Sequence, residues 1–247
     1  HSGKSNYWSG NEGRSFENEF AEWCGVEHGL CMFNGTIALE LSLRSAGVCA
    51  GDEVIVTPRS FLASAASIVA VGATPVFVDV EESTLCLDIS LVEAAITSKT
   101  KAIMLVSSNG RYPDSGIDTF ISLCQKYNLK LIEDSAQSLG SYYRDGTHIG
   151  RKGLVGSFSF SAPKIISTGQ GGAIITDDDE VALNLRRLKD FGRDGGGSDI
   201  HASIGFNFKF TELQAVIGIE QMKKLADRVV RKKAIFCIFK YTHRIHV

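Results

Sequence analysis

The chain has 247 residues, 44% hydrophobic and 22% charged, enough for one large domain or two small ones. Its 26 Lys and Arg against 28 Asp and Glu leave a net charge of −2, so nothing suggests a nucleic acid or a membrane surface as partner. No apolar run is long enough to span a bilayer, and the opening residues His-Ser-Gly-Lys-Ser-Asn-Tyr-Trp are not a signal peptide. The six cysteines (Cys24, Cys31, Cys49, Cys86, Cys124, Cys237) form no Cys-x-x-Cys pair. That suits a reducing, cytoplasmic setting and neither a zinc site nor a disulfide framework.

Phe16, Phe20 and Trp23 stand at helical spacing, so residues 15–28 read as an amphipathic helix ended near Gly25. Residues 31–33 are a short apolar strand, and 37–43 a helix. Between them lies Asn34-Gly35-Thr36. A strand, a glycine turn and a helix start with a hydroxyl can hold an anion, because free N–H groups and the helix dipole point at it. The plainer reading is Thr36 as an ordinary N-cap. Strands follow at 52–58, 74–80, 101–106 and 129–134, and helices at 61–71, 89–96 and 117–127. Phe61, just past a strand end, suits either the core or stacking on a planar ring. This alternation argues an α/β protein with a largely parallel sheet and helices on both faces. Ligands of such sheets bind beyond the carboxyl ends of the strands. The polar candidates cluster there, at 34–36, 59–61, 107–111, 134–137 and 159–164.

Asp134 closes an apolar strand. A carboxylate there can pair with a pyridinium nitrogen or cap a following helix. Glu133 alternates to the other face and is given no catalytic role. Residues 155–161 alternate like a strand until Pro163 stops the pattern, and a lone Lys164 follows beside Ile165 and Ile166. Burial lowers a lysine's pKa and makes its amine nucleophilic, as Schiff-base chemistry with a carbonyl or with PLP requires. A solvated surface lysine is the competing reading. The chain turns at 167–172 and a new strand runs over 173–176. A helix over 181–189 has an acidic start and a basic end. Residues 191–198 read as a flexible glycine loop. A Thr211 cap with Gln214 three residues on opens a long helix to about Val230. The histidines of the last residues have no metal spacing.

Taken in order, these pieces resemble the DegT/DnrJ/StrS-type sugar-nucleotide aminotransferases. The matching stretches are Asn34-Gly-Thr-Ile-Ala-Leu, Gly51-Asp-Glu-Val-Ile-Val, Gly72-Ala-Thr-Pro-Val-Phe-Val-Asp and Thr100-Lys-Ala-Ile. Ile132-Glu-Asp-Ser-Ala-Gln, Ser157-Phe-Ser-Phe with Lys164 and Gly169-Gln-Gly-Gly, and Gly205-Phe-Asn with Glu212-Leu-Gln-Ala-Val-Ile-Gly complete the set, over roughly residues 8–235. The resemblance implies a three-layer α/β/α fold with a mostly parallel seven-stranded sheet, spanning 1–230. It implies the PLP/PMP cofactor, with Lys164 as the residue that bonds PLP and then moves protons. Asp134 would hold the pyridine nitrogen and Gln137 would lie near the ring hydroxyl. Gly35, Thr36 and Ser159 would bind the phosphate, and Phe61 would stack on the ring. Asn207 would reach the phosphate of a neighbouring subunit, so a homodimer would share its sites. The reaction implied is transfer of an amino group from an amino acid, typically glutamate, to a keto-sugar linked to a nucleotide.

Two departures stand out. Residues 106–111 read Val-Ser-Ser-Asn-Gly-Arg where many members carry a His-Leu-Tyr-Gly-like sequence, which leaves the sugar open. Members also continue for about a hundred residues past the long helix, a domain-sized piece. This implies that the C-terminal small domain is truncated here and that 231–247 is its start or an aberrant tail. A sugar dehydratase on the same fold and a catalytically incomplete paralogue therefore stay open as alternatives. In the dehydratase branch a histidine replaces the lysine, so Lys164 favours transamination. A Rossmann dinucleotide site fails for want of a Gly-x-Gly-x-x-Gly after the first strand.

Overall fold

A computed structural model of the chain describes residues 10–194 and 199–243. The opening octapeptide, part of the glycine loop at 191–198 and the last four residues lie outside them.

The elements run α1 (Glu12–Cys24), β1 (His28–Met32), α2 (Gly35–Ser45), β2 (Glu53–Val56), α3 (Ala63–Ala70), β3 (Thr74–Phe77), α4 (Ile89–Ala94), β4 (Thr100–Val106) and α5 (Ile117–Tyr127). Then come β5 (Lys130–Asp134), β6 (Val155–Ser159), β7 (Gly172–Thr176), α6 (Asp179–Lys189), α7 (Glu212–Met222) and α8 (Leu225–His243). The strands form one seven-stranded sheet in the order β1-β7-β6-β5-β4-β2-β3. All pairings from β6 to β3 are parallel, while β7 runs antiparallel to both β6 and β1. The fold is thus α/β with a mixed, mostly parallel sheet.

Because both faces are covered, the strands are apolar almost throughout. The period of two still sorts their side chains. On β4, Ala102, Met104 and Val106 pack under α2 and α3, while Ile103 and Leu105 pack with α5 on the other face. A third cluster, around Phe16, Phe20, Phe158 and Phe160, seats α1 and α7 against β6 and β7. Buried Glu17 ties this side together. It accepts from Cys31 N (2.8 Å) and Lys189 Nζ (2.6 Å), linking α1, β1 and α6.

Several local expectations change. Asn34, not Thr36, caps α2: its Oδ1 accepts from Ile37 N at 2.9 Å, and the helix starts at Gly35. No helix follows β5, so Asp134 is not an N-cap. The long C-terminal helix is two helices, broken at Lys223 and Lys224, and α8 runs on past Val230 without interruption. Thr211 and Gln214 do form a capping box on α7. Among the described residues no helix is long and apolar enough to cross a membrane, and all six cysteines are free.

Candidate active site

The sheet face beneath α2 and α3 carries the site. Ile132 packs on that face, so Asp134, two residues on, points the same way and Glu133 points away. The same count from Val155 places Ser157 and Ser159 there. Ser157 Oγ meets Ser42 Oγ of α2 at 2.7 Å. Beyond these strand ends lies a cavity of about 470 Å³, within the usual range for small-molecule sites. Gly35, Thr36, Phe61, Asp134, Gln137, Ser159 and Lys164 all line it.

One end of the cavity is built of donors. Gly35 and Thr36 open α2, and the first-turn N–H groups of a helix have no helical acceptor. Ser159 closes against them. A Cβ on Gly35 would lie 2.8 Å from Ser159 Cβ, so only glycine lets the end of β6 meet the start of the helix. Free N–H groups, a helix dipole and a hydroxyl together suit a phosphate.

Asp134 is another part of the lining. Its Oδ2 accepts from Ser64 Oγ at 2.6 Å and its Oδ1 from Ala136 N at 3.2 Å. Burial raises its pKa, while Ser64, the Ala136 N–H and the charge of Lys164 oppose the rise. Lys164 hangs in the turn after β6, its N–H donating to Ser161 O at 3.0 Å. Among the described residues no hydrogen bond or ion pair holds its amine. Burial lowers the Lys164 pKa, against the pull of Asp134. A half-buried amine so shifted can act as a nucleophile and as a base.

Phe61 stands at the mouth, 74% exposed. Gln137 Oε1 accepts from Asn109 N at 3.1 Å, which fixes the carboxamide beside the cavity. Asn207 is not among the lining residues. It is exposed and bridges to Asp190 beyond α6. Ser60, within the 59–61 stretch singled out from the sequence, lines the cavity, and so does Ser64, which sequence reasoning missed. The available signal was a serine on the buried side of an otherwise apolar helix, with Ser64, Ser67 and Ile68 all buried.

The chain matches the model of the DegT/DnrJ/EryC1/StrS aminotransferase family over residues 2–242. It belongs to that family. It is 40% identical over 231 residues to the GDP-perosamine synthase of Caulobacter vibrioides, covering 92% of this chain and 62% of that one. The aminotransferase of Psychrobacter cryohalolentis superposes with a TM-score of 0.84 at 42% identity, over 90% of this chain and 58% of that one. NtdA of Bacillus subtilis, solved with bound cofactor PMP, superposes with a TM-score of 0.82 at 31% identity, over 89% of this chain and 49% of that one. The chain therefore spans about three fifths of the curated relative's length.

DegT-family aminotransferases depend on PLP or PMP, and the cavity has the chemistry for that group. Its donor-rich end, its buried carboxylate and its free amine match a phosphate, a ring nitrogen and a carbonyl. Ser107, which lines the cavity and is buried, has a hydroxyl with no partner among the described residues. An orphaned buried hydroxyl beside a cavity is what a ligand-binding wall leaves behind.

Proposed function

We propose that this chain provides the cofactor-binding part of a sugar aminotransferase. It transfers an amino group from an amino acid, glutamate by resemblance, to a keto-sugar carried on a nucleotide. The product is an amino-deoxy sugar for surface polysaccharide or lipopolysaccharide. The observation that carries this reading is one cavity holding the free Lys164 amine and the buried Asp134 carboxylate together. When bound, PLP supplies a carbonyl that condenses with amines and a ring that accepts electrons.

The chain's own residues do the rest. Gly35, Thr36 and Ser159 donate to the phosphate and set where the ring lies. Asp134 accepts from the ring nitrogen and keeps its proton in place. Gln137 reaches the ring hydroxyl with its carboxamide, and Phe61 packs on the ring face and keeps water off it. The Lys164 amine receives a proton at Nζ and returns it on the substrate side, a role that its lowered pKa favours. Asn207 reaches the phosphate in a neighbouring subunit, so the working unit is a homodimer.

A reductive trap tests this. The chain is incubated with PLP, reduced with borohydride and mapped by mass. We expect the pyridoxyl group on Lys164, and none there in Lys164→Ala. Label spread evenly over exposed lysines would overturn the assignment.

A further inference from the structure

We infer that Ser64 is a positioning residue for Asp134, and that Ser60, Ser64 and Asp134 form a directed chain of hydrogen-bond donors that holds this carboxylate ionised and oriented. Ser64 Oγ lies 2.6 Å from Asp134 Oδ2, and Ser60 Oγ lies 2.7 Å from Ser64 Oγ. A carboxylate only accepts, so the Ser64 proton points to Asp134. The Ser64 oxygen then accepts from Ser60. The direction of both bonds follows from the charge at one end. The contact to Asp134 has the short length of a charge-assisted bond.

The neighbours hold this geometry. Ser64 sits in the first turn of α3, where the helix dipole favours a negative partner. Its carbonyl accepts from Ser67 Oγ at 3.0 Å, which steadies the turn. Ser64 is buried, while Ser60 is half-buried at the cavity wall. Among the described residues the only other donor to the Asp134 carboxylate is the weaker Ala136 N–H at 3.2 Å, on the other oxygen. Ser64 is thus the only side chain that donates to Asp134 among the described residues.

This rests on the reading that Asp134 meets the ring nitrogen of PLP. The test is the dissociation constant for PLP, followed by absorbance, as a function of pH. Losing the Ser64 hydroxyl raises the pH at which Asp134 takes up a proton, so its hold on the ring nitrogen is lost earlier as pH falls. In Ser64→Ala we expect PLP to bind about tenfold more weakly at neutral pH, as befits a lost hydrogen bond to a charge. The pH at which affinity fails should rise by about one unit, the equivalent of tenfold. Ser64→Thr keeps the hydroxyl and should restore both values. Ser60→Ala should shift the profile the same way by less. A Ser64→Ala profile that overlays the parent, or Ser64→Thr shifted as far as Ser64→Ala, would overturn the inference. Thermal unfolding without PLP checks that Ser64→Ala folds. If it does not, the Ser64→Thr and Ser60→Ala profiles decide. The borohydride trap on the parent chain separates the two failures. No label at Lys164 sinks the cofactor reading, whereas label at Lys164 with an unmoved Ser64→Ala profile sinks this one alone.

Discussion

Two consecutive carboxylates at the end of β5 face opposite sides of the sheet and meet different surroundings. Asp134 opens on the cavity. Glu133 is sealed in protein, where Oε1 accepts from Lys152 N (2.7 Å) and Gly153 N (2.6 Å), and Oε2 accepts from Gly150 N (2.7 Å) and the Tyr143 hydroxyl. Burial raises the Glu133 pKa, and those four donors oppose it. In Glu133→Gln, either amide orientation sets an NH₂ against donors. We expect a loss of about 3 kcal/mol in urea unfolding, the scale of an unsatisfied buried polar group next to lost charge-assisted bonds. PLP binding by the folded fraction should change little, because Glu133 does not line the cavity. Such residue-level placements were unevenly legible. Asp134 and Lys164 announced themselves as charged groups in apolar stretches, and period two turned Glu133 away. Ser64 did not, because a buried serine among alanines reads as small-residue packing until its partner seventy residues away is known.

The segment between β5 and β6 is held as a unit by Glu133 from one side and by His148 within it. His148 Nδ1 donates to Ile149 O at 2.7 Å, and Nε2 accepts from Gly140 N at 3.0 Å, so the ring is neutral. Burial lowers its pKa from 6.5 to about 4. Between these values the unfolded chain binds a proton that the native state refuses, so stability is whole above 6.5 and falls as pH drops toward 4. The loss sums to about 3 kcal/mol at 1.36 kcal/mol per unit. Denaturation midpoints measured across pH 4–7 should show this slope, and His148→Gln should flatten it. Element boundaries were legible where the chain itself supplies the stop. α5 ends where expected because Gly116 and Asn128, at its two ends, take positive φ. Strand ends were read too long, at Val80 and Ser161, because pairing stops where a neighbour stops, and that is not local information. The break between α7 and α8 carries no Gly or Pro, so nothing in Lys223-Lys224 marked it.

At the scale of the molecule, Phe61, Leu62, Leu213 and Ile217 are exposed large apolar side chains. Under the homodimer proposal, sedimentation should find a dimer at micromolar concentration. Asn207→Ala should then weaken PLP binding although Asn207 lies outside its own chain's cavity. An Asn207→Ala chain with parental affinity would count against a shared site. The direction of each strand, unlike sheet class, was not readable from sequence. Alternation of strands and helices gave a parallel sheet, but the reversed strand β7 looks like any other apolar run of five. The late place of β7 in the chain bears on the order of assembly. β1 sits at the sheet edge, and among the described residues β7 is its only partner strand, from His28↔Thr176 to Met32↔Gly172. A Cβ at Gly172 would come within 2.6 Å of the Asn34 carbonyl, so the turn that bears Gly35 and Thr36 is seated on β7 itself. Under the proposed cofactor site, the Gly35 and Thr36 part of the phosphate end leaves the ribosome early during synthesis, yet the strand that seats it emerges only after most of the sheet. A ribosome stalled before residue 172 therefore carries a nascent chain with Lys164 already made and no cradle for the cofactor to enter.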